Sequence, residues 1–488
     1  MTTYRNPVLN ADWSDPDVIR VGADFYLTAS TFTKVPGLPI LHSRDLVNWT
    51  IIGHAVTSGY DDVRPGCGVW APSLRHHDGR FWIFYGDPDV GIHVVSAQDL
   101  RGPWTAPHVV KPGAGLIDPC PLWDDDGQAY LVHGWAKSRA GVNNRLTLHR
   151  MSPDAREVLD EGTLIIDADL LPGYRTLEGP KLYKRDGTYW IFAPAGGVEQ
   201  GWQSVFRADS IYGPYEDRIV LEQGGTDVNG PHQGGWVDTP SGEHWFMHFQ
   251  DRGAYGRVVH LQPMAWEDGW PVMGANGEPV PGGPVPVPGG TPAEPATSDD
   301  FAGPGLGLQW SWQANPDPSW WELRDGTLRL ACVPGPEDLR ERPSVLGQRL
   351  PGDPCTVTTG LTLDGEGRAG LVVLGFTYAY VGLERTAGGT VLVCGGMEGG
   401  MEGGMEGGME GDMEPVPVKD GSPVTVGARI GEGALVTFLA DTGDGLREVG
   451  APFQATQSRW VGAVVGLFAA GDGAGRAVFD AFTVDIER

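Results

Sequence analysis

One hairpin phrase, written five times, governs what this chain can fold into. Each copy runs from a small or polar residue near a proline or glycine into an apolar strand, a turn containing Gly, and a second strand rich in aromatics. The copies are DPDVIRVGADFYLTAS from Asp15, APSLRHHDGRFWIFYG from Ala71, DPCPLWDDDGQAYLVHG from Asp118, EGPKLYKRDGTYWIFAPAG from Glu178 and HQGGWVDTPSGEHWFMHF from His232, at intervals of 56, 47, 60 and 54 residues. Hairpin units at such periods bury their faces only by packing on neighbours around an axis, which predicts β-propeller blades. A second set of phrases, at 43–56, 96–110, 149–165, 208–221 and 260–273, falls between the copies and supplies the outer halves of the same blades. Two independent fivefold counts agree, so residues 1–274 are expected to form a five-bladed propeller.

The remainder of the 488 residues leaves room for further domains. The whole chain's 74 glycines and 40 prolines argue against long helices. Seven prolines fall within 275–298, which forbids helix and interrupts any central strand, so a linker is expected there. Downstream, TLRLACV (327–333), TVTTGLTLDG (356–365), AGLVVLGFTYAYVGLERT (369–386) and AVFDAFTVDI (477–486) read as strands of a β-sandwich over 299–488. The fold class is therefore all-β. The tract GGMEGGMEGGMEGGMEGDME at 395–414 has a four-residue period whose glycines hold no single backbone conformation, and a flexible solvated loop is expected. Soft-metal binding by Met397, Met401, Met405, Met409 and Met413 is the alternative, weakened by the Glu beside each thioether.

A net charge of −28 repels polyphosphates and anionic lipid, so neither nucleic acid nor membrane is an expected partner, whereas neutral sugars are indifferent to it. The opening MTTYRNPVLNADW lacks a basic region followed by an apolar run, and no stretch approaches the ~18 apolar residues that span a bilayer, so a soluble, unexported, cytoplasmic protein is expected. Cysteines at 67, 120, 332, 355 and 394 lack CxxC spacing and suit a reducing compartment, as buried inert thiols rather than a disulfide framework, zinc site or nucleophile.

In a propeller the innermost strands begin at the mouth of the axial channel, so residues at one phase of the repeat converge. Here these are Asp15, Ala71, Asp118, Glu178 and His232. Taken singly, each acidic residue reads as a turn or cap former. Their shared phase and apolar surroundings instead suggest three carboxyls on one ring. Like charges gathered there cannot all ionise at their ordinary pKa values, and an acid beside an anion is what glycoside hydrolysis requires. Asp124, Asp125 and Asp126, and Asp61 with Asp62, read as solvated turns.

The phrases NPVLNADWSDPDVIRVGADFYLTASTF, PGLPILHSRDLVNW, GVWAPSLRHHDGRFWIFYG, GLIDPCPLWDDDGQAYLVHGWA, LEGPKLYKRDGTYWIFAPAGG and GRVVHLQPMAWEDGWPV resemble glycoside hydrolase family 43, the β-xylosidase and α-L-arabinofuranosidase group. SDDFAGPGLGLQWSWQANPDPSWWEL resembles the concanavalin-like, jelly-roll-like sandwich that follows the propeller in the xylosidase-like branch. The resemblance implies a five-bladed propeller, inversion of the anomeric centre, Asp15 as general base, Glu178 as general acid, and Asp118 as the carboxyl that orients the acid and adjusts its pKa. It implies an axial role for His232, which is left between outer-shell partner of a calcium, hydrogen-bonding core group and substrate contact. Arg257 matches an arginine that reaches sugar hydroxyls, with a structural ion pair as the alternative. Trp70 and Phe32 match pocket walls, with ordinary core packing as the alternative. Trp310, Trp312, Trp320 and Trp321 read either as a sugar-binding surface or as a packed seam. His76 and His77 show no ligand spacing.

The reaction so implied is removal of terminal xylose from xylo-oligosaccharides by an exo-acting, inverting β-1,4-xylosidase, with α-L-arabinofuranosidase or exo-arabinanase activity as one rival and a non-catalytic carbohydrate-binding propeller as another. Inversion needs room for a water, so Asp15 and Glu178 are expected to stand roughly 6.5–9.5 Å apart. No cofactor is required, a structural calcium on the axis remains open, and a homo-oligomer is compatible with the sequence. A sandwich loop caps the pocket in the xylosidase-like branch, but the sequence does not identify a capping aromatic here.

Overall fold

Local turn chemistry builds the first body. In the second and fourth repeats the hairpin ends in Asp-Gly with both residues at positive φ, Asp78 at 48° and Gly79 at 69°, Asp186 at 53° and Gly187 at 82°. This is the type I′ geometry whose twist matches that of the flanking strands. The computed structural model describes residues 2–61, 63–398, 407–409 and 413–487. Its first part forms five sheets, each of four antiparallel strands in chain order, spanning residues 17–56, 70–112, 116–167, 181–222 and 232–273. We call them blades I to V. Their innermost strands are Asp17–Val21, Trp70–His77, Leu116–Trp123, Lys181–Arg185 and His232–Asp238.

Each blade is one contiguous stretch of chain, so no strand is shared to close the ring. Closure comes from the N-terminal segment instead. Val8 and Leu9 donate their amides to the Val259 carbonyl on blade V, and the Tyr4 hydroxyl donates to the Leu261 carbonyl at 2.9 Å. Thr3–Arg5 pairs with Gly282–Pro284, a three-residue strand inside the proline-rich segment, where an edge position tolerates the missing N–H. Between blades I and V, Arg20 and Asp238 form an ion pair at 2.6 Å.

The axis is filled. Two residues beyond each kink at the mouth, Asp17, Ser73, Cys120, Lys181 and Gly235 form one layer. The Lys181 ammonium donates to the Pro72 carbonyl at 2.6 Å and the Ser73 hydroxyl at 2.9 Å, and lies 3.8 Å from Asp17. Arg75 donates to Asp17 at 2.8 Å and to the Cys120 sulfur at 2.8 Å, below which its guanidinium lies over Tyr183. Buried charges require such pairing.

The second body is a sandwich of an eight-stranded and a seven-stranded sheet. Cys355–Asp364 shows why these segments become strands, since its residues alternate between buried and half-buried along the strand, with one face on the core. Trp310 and Trp312 are buried in that core, and Trp320 and Trp321 pack against it. The tryptophan set is thus packing rather than a sugar-binding surface. Trp312 also exchanges both backbone hydrogen bonds with Val35 of blade I, at 3.0 and 2.7 Å, so it belongs to the seam between domains.

Two further expectations are corrected. Asp124 is not a solvated turn residue, because its carboxylate binds the Lys184 ammonium and accepts from the Tyr189 hydroxyl at 2.5 Å, tying blade III to blade IV. Asp125 and Asp126 are exposed, as is Asp61, while Asp62 lies outside the described residues. Within the Gly-Met-Glu tract, Gly389–Glu398 is a strand and Gly407–Met409 pairs with its end, so this part of the tract is sheet rather than loop. Met397 meets Arg340 through its sulfur at 2.8 Å. Residues 399–406 and 410–412, with Met401 and Met405, lie outside the described residues.

Candidate active site

A kink precedes or interrupts the innermost strand of every blade. Asp15, Ala71, Asp118, Gly179 and Gln233 have φ of 54°, 31°, 56°, 59° and 38°, and all but the last are followed by proline. Such backbone is costly for residues other than glycine and persists where the surrounding structure enforces it. It turns the preceding segment across the mouth. By this register Glu178 and His232 stand one residue before the shared phase, not on it as the sequence repeat suggested. The extra residue projects both side chains from the rim toward each other.

Asp15 is 5% exposed and both of its oxygens accept. Arg257 donates to Oδ1 at 2.8 Å, and the Ser30 hydroxyl donates to Oδ2 at 2.6 Å. This is the hydrogen-bond pattern of an ionised carboxylate. Ser30 in turn accepts from the Ala71 amide at 2.7 Å, so blade II helps to fix a group carried by blade I. Arg257 is itself buried over the Phe249 ring, at 4.6 Å. Asp15 thus engages one terminal nitrogen of the guanidinium, while its buried Nε has no hydrogen-bond partner among the described residues.

Across the mouth, the His232 Nε2 lies 3.0 Å from Glu178 Oε1. His232 is fully buried and the Glu178 side chain is 25% exposed, so the carboxyl reaches solvent from a fixed base. Asp118 accepts from the Gly179 amide at 2.8 Å. That bond holds the Glu178–Gly179 peptide and so positions Glu178. Burial, and after it the negative charges of Glu178 and Asp15, push the Asp118 carboxyl up to about 8. At neutral pH Asp118 itself thus tends to keep its proton, while both Asp15 oxygens accept hydrogen bonds. Two carboxyl groups in different hydrogen-bond settings, Asp15 and Glu178, therefore face a common opening.

Apolar surface flanks the carboxyls. The Phe32 and Trp70 rings lie 5.9 Å apart, with Arg139 over Trp70 at 5.7 Å. Gly68 is required beneath them, since at φ 85° a Cβ would sit 2.3 Å from the Phe32 carbonyl oxygen. Facing Trp70 at 6.4 Å is Trp460, 43% exposed, on a turn of the sandwich. The Ser14 hydroxyl donates to the Trp460 carbonyl at 3.1 Å, one residue from Asp15. The second domain thereby places an aromatic at the mouth of the first.

Comparison with known proteins matches the model for glycosyl hydrolases family 43 to residues 4–271, more than half of the chain. The chain belongs to glycoside hydrolase family 43. Residues 298–485 match the β-xylosidase C-terminal concanavalin A-like domain. Among relatives of this family 43 chain, a putative β-xylosidase of Xylanibacter ruminicola is 43% identical, over 78% of this chain and 72% of its own length. A non-reducing end α-L-arabinofuranosidase of Bacteroides ovatus is 32% identical, over 71% of this chain and 68% of its own. The fold is similar to the crystal structure of a xylan β-1,4-xylosidase from Bacillus halodurans, with a TM-score of 0.86 at 27% identity over 99% of this chain and all of that one.

Calcium on the axis was left open by the family resemblance. The His232 Nδ1 is buried without a partner, but a hard cation seeks six to eight oxygen ligands. Among the described residues no group of three or more His, Cys, Asp or Glu side chains converges on one point. The side chains among the described residues thus supply no carboxylate cage for calcium.

Three contributors escaped the sequence reading. Trp460 carries no local signal, because its place at the mouth depends on how the two domains pack. Ser30 was visible only as part of the TAS phrase. Gly179 could have been found by aligning the prolines, since Asp15-Pro16, Ala71-Pro72, Asp118-Pro119 and Gly179-Pro180 share one register.

Proposed function

We propose that this protein is an exo-acting, inverting β-1,4-xylosidase that releases terminal xylose from xylo-oligosaccharides. The observation that carries the proposal is the opposition of Asp15, wired to Arg257 and Ser30, and Glu178, wired to His232, at one apolar-walled mouth beside the buried Asp118. Glu178 gives its proton to the departing glycosidic oxygen. Asp15 draws a proton from a water, which attacks the anomeric carbon from the opposite face. Asp118 holds the Gly179 amide, keeps the acid's peptide in place, and stores negative charge only at a cost, which favours protonation on the acid side. Trp460 closes the mouth above Trp70, which supports removal of one terminal sugar rather than cleavage within a chain.

The names of the relatives support xylose as the sugar, and the arabinofuranosidases among them support α-L-arabinofuranosidase or exo-arabinanase activity as the second reading. We also place the protein in the cytoplasm, acting on imported oligosaccharides. Its five cysteines, none joined in a disulfide and four of them buried, support that placement. Among the described residues no helix is long and apolar enough to cross a membrane.

Proton NMR of a xylobiose digest tests sugar, linkage and stereochemistry together. The α-anomer of xylose should form first, before mutarotation. First-formed β-xylose would overturn inversion, cleavage of arabinobiose alone would move the assignment to the second reading, and no turnover of either would leave a binding protein.

A further inference from the structure

Where blade I meets the sandwich, a small enclosed cavity is bordered by Asp12, Ser30, Thr31, Lys34, His54 and Arg349. Three basic side chains from separate elements therefore face one space. The Lys34 ammonium makes no hydrogen bond or ion pair with any described residue. His54 likewise has no partner for its ring nitrogens. Arg349 donates its Nε to the Asp12 carbonyl at 2.6 Å and lies 3.8 Å over the Trp13 ring, and its two terminal nitrogens have no acceptor among the described residues. Among the described residues Asp12 is the one carboxylate on the cavity wall. Its Oδ1 accepts from the Arg257 amide at 2.9 Å, and neither oxygen comes within ion-pair reach of Lys34 or Arg349.

Enclosed charges are normally paired, because losing hydration costs more than a lone hydrogen bond returns. Here two cations share the attraction of a single carboxylate, Asp12, which makes a contact ion pair with neither among the described residues. A water in the cavity would satisfy donors but leave the charge uncompensated. Burial outweighs the attraction of Asp12 and draws Lys34 down to about 8 and Arg349 to about 10, and burial together with the Arg349 charge holds His54 near 3, as a neutral donor. The space has room for one small occupant rather than for an oxyanion such as sulfate.

We propose that this seam cavity binds a single monatomic anion of chloride size, held by the Lys34 ammonium and the Arg349 guanidinium and bridging the propeller to the sandwich. The bound anion supplies the missing negative charge and donates nothing to the reaction. It bears on the mouth through two neighbours. Ser30, which holds Asp15, borders the cavity, and so does Val461, which follows Trp460.

The test compares the full chain in sodium chloride and in sodium gluconate at equal ionic strength. Chloride should raise Tm saturably, by roughly 2–4 °C over gluconate. The wild-type protein should broaden the chloride-35 NMR line, and bromide should displace that broadening. Lys34→Met should lose both effects. Equal Tm values in the two salts, or broadening that bromide does not displace, would overturn the proposal, as would broadening retained in Lys34→Met. Because the bromide displacement is read on the wild-type protein, the outcome stands even if the variant does not fold.

Discussion

The Asp118 carboxyl is 5% exposed and shares its surroundings with Glu178 and Asp15, so ionising it costs both hydration and like-charge repulsion. With a native value near 8 against about 4 in the unfolded chain, its contribution to stability is fully present below about pH 4. As pH rises, the unfolded state releases its proton first, and the contribution is lost progressively until the native group ionises near 8. Asp118→Asn removes that titration. The difference in Tm between variant and wild type should therefore shift in the variant's favour as pH is raised from 5 to 8, and parallel melting curves across that range would contradict the assignment. Glu178 is tested through its leaving group. Glu178→Ala should lose roughly 100- to 10,000-fold in kcat on xylobiose, whose alkoxide needs a proton, and much less on a nitrophenyl xyloside, whose phenolate does not. Asp15→Ala should lose activity on both alike, because activation of water does not depend on the leaving group.

At the scale of the element, the kink opening each blade matters more than the strand it precedes. Gly179 has φ 59°, and a Cβ there would come 2.9 Å from the Gln233 side chain and 3.1 Å from Pro194. Gly179→Ala should destabilise the protein by about 1–3 kcal/mol and displace Glu178, lowering kcat on xylobiose more than KM changes. Urea denaturation and steady-state kinetics on one preparation would measure both. The same element shows what the sequence could and could not tell. Its hairpins were legible because apolar alternation and Asp-Gly turns are local signals, and so was the gathering of Asp15, Asp118 and Glu178 at one mouth. The one-residue offset of Glu178 and His232 was not, because intervals between repeats do not record where the backbone kinks. Arg257 was found by resemblance, but its engagement with Asp15 depends on a contact between residues 242 positions apart. The tryptophans of 310–321 stayed open between sugar surface and packed seam for a related reason. Composition marks aromatics as sticky without saying whether sugar or core covers them.

For the whole molecule, the question is why a complete propeller is joined so closely to a second domain. The seam is made largely of backbone bonds, between Val35 and Trp312, Ala463 and Ala254, and Gly352 and Asn10, with the Tyr255 hydroxyl donating to Gly431 and accepting from Ala434. Such bonds fix orientation more than they add affinity, since each replaces one made to water. Their effect is to hold the turn carrying Trp460 against Ser14 and Trp70. Trp460 has φ 66° and remains 43% exposed, a strained and solvated position for a large aromatic that packing alone does not explain. A sugar entering the mouth would cover it. Trp460→Ala should consequently leave Tm nearly unchanged while lowering kcat/KM on xylobiose by roughly tenfold, mostly through KM, as expected when a contact made equally in ground and transition states is removed. The same variant should lose discrimination against longer oligosaccharides, read as a smaller ratio of rates on xylobiose and xylotetraose. A large fall in Tm would instead make Trp460 a structural pin of the seam, and an unchanged kcat/KM would remove the sandwich from substrate recognition altogether.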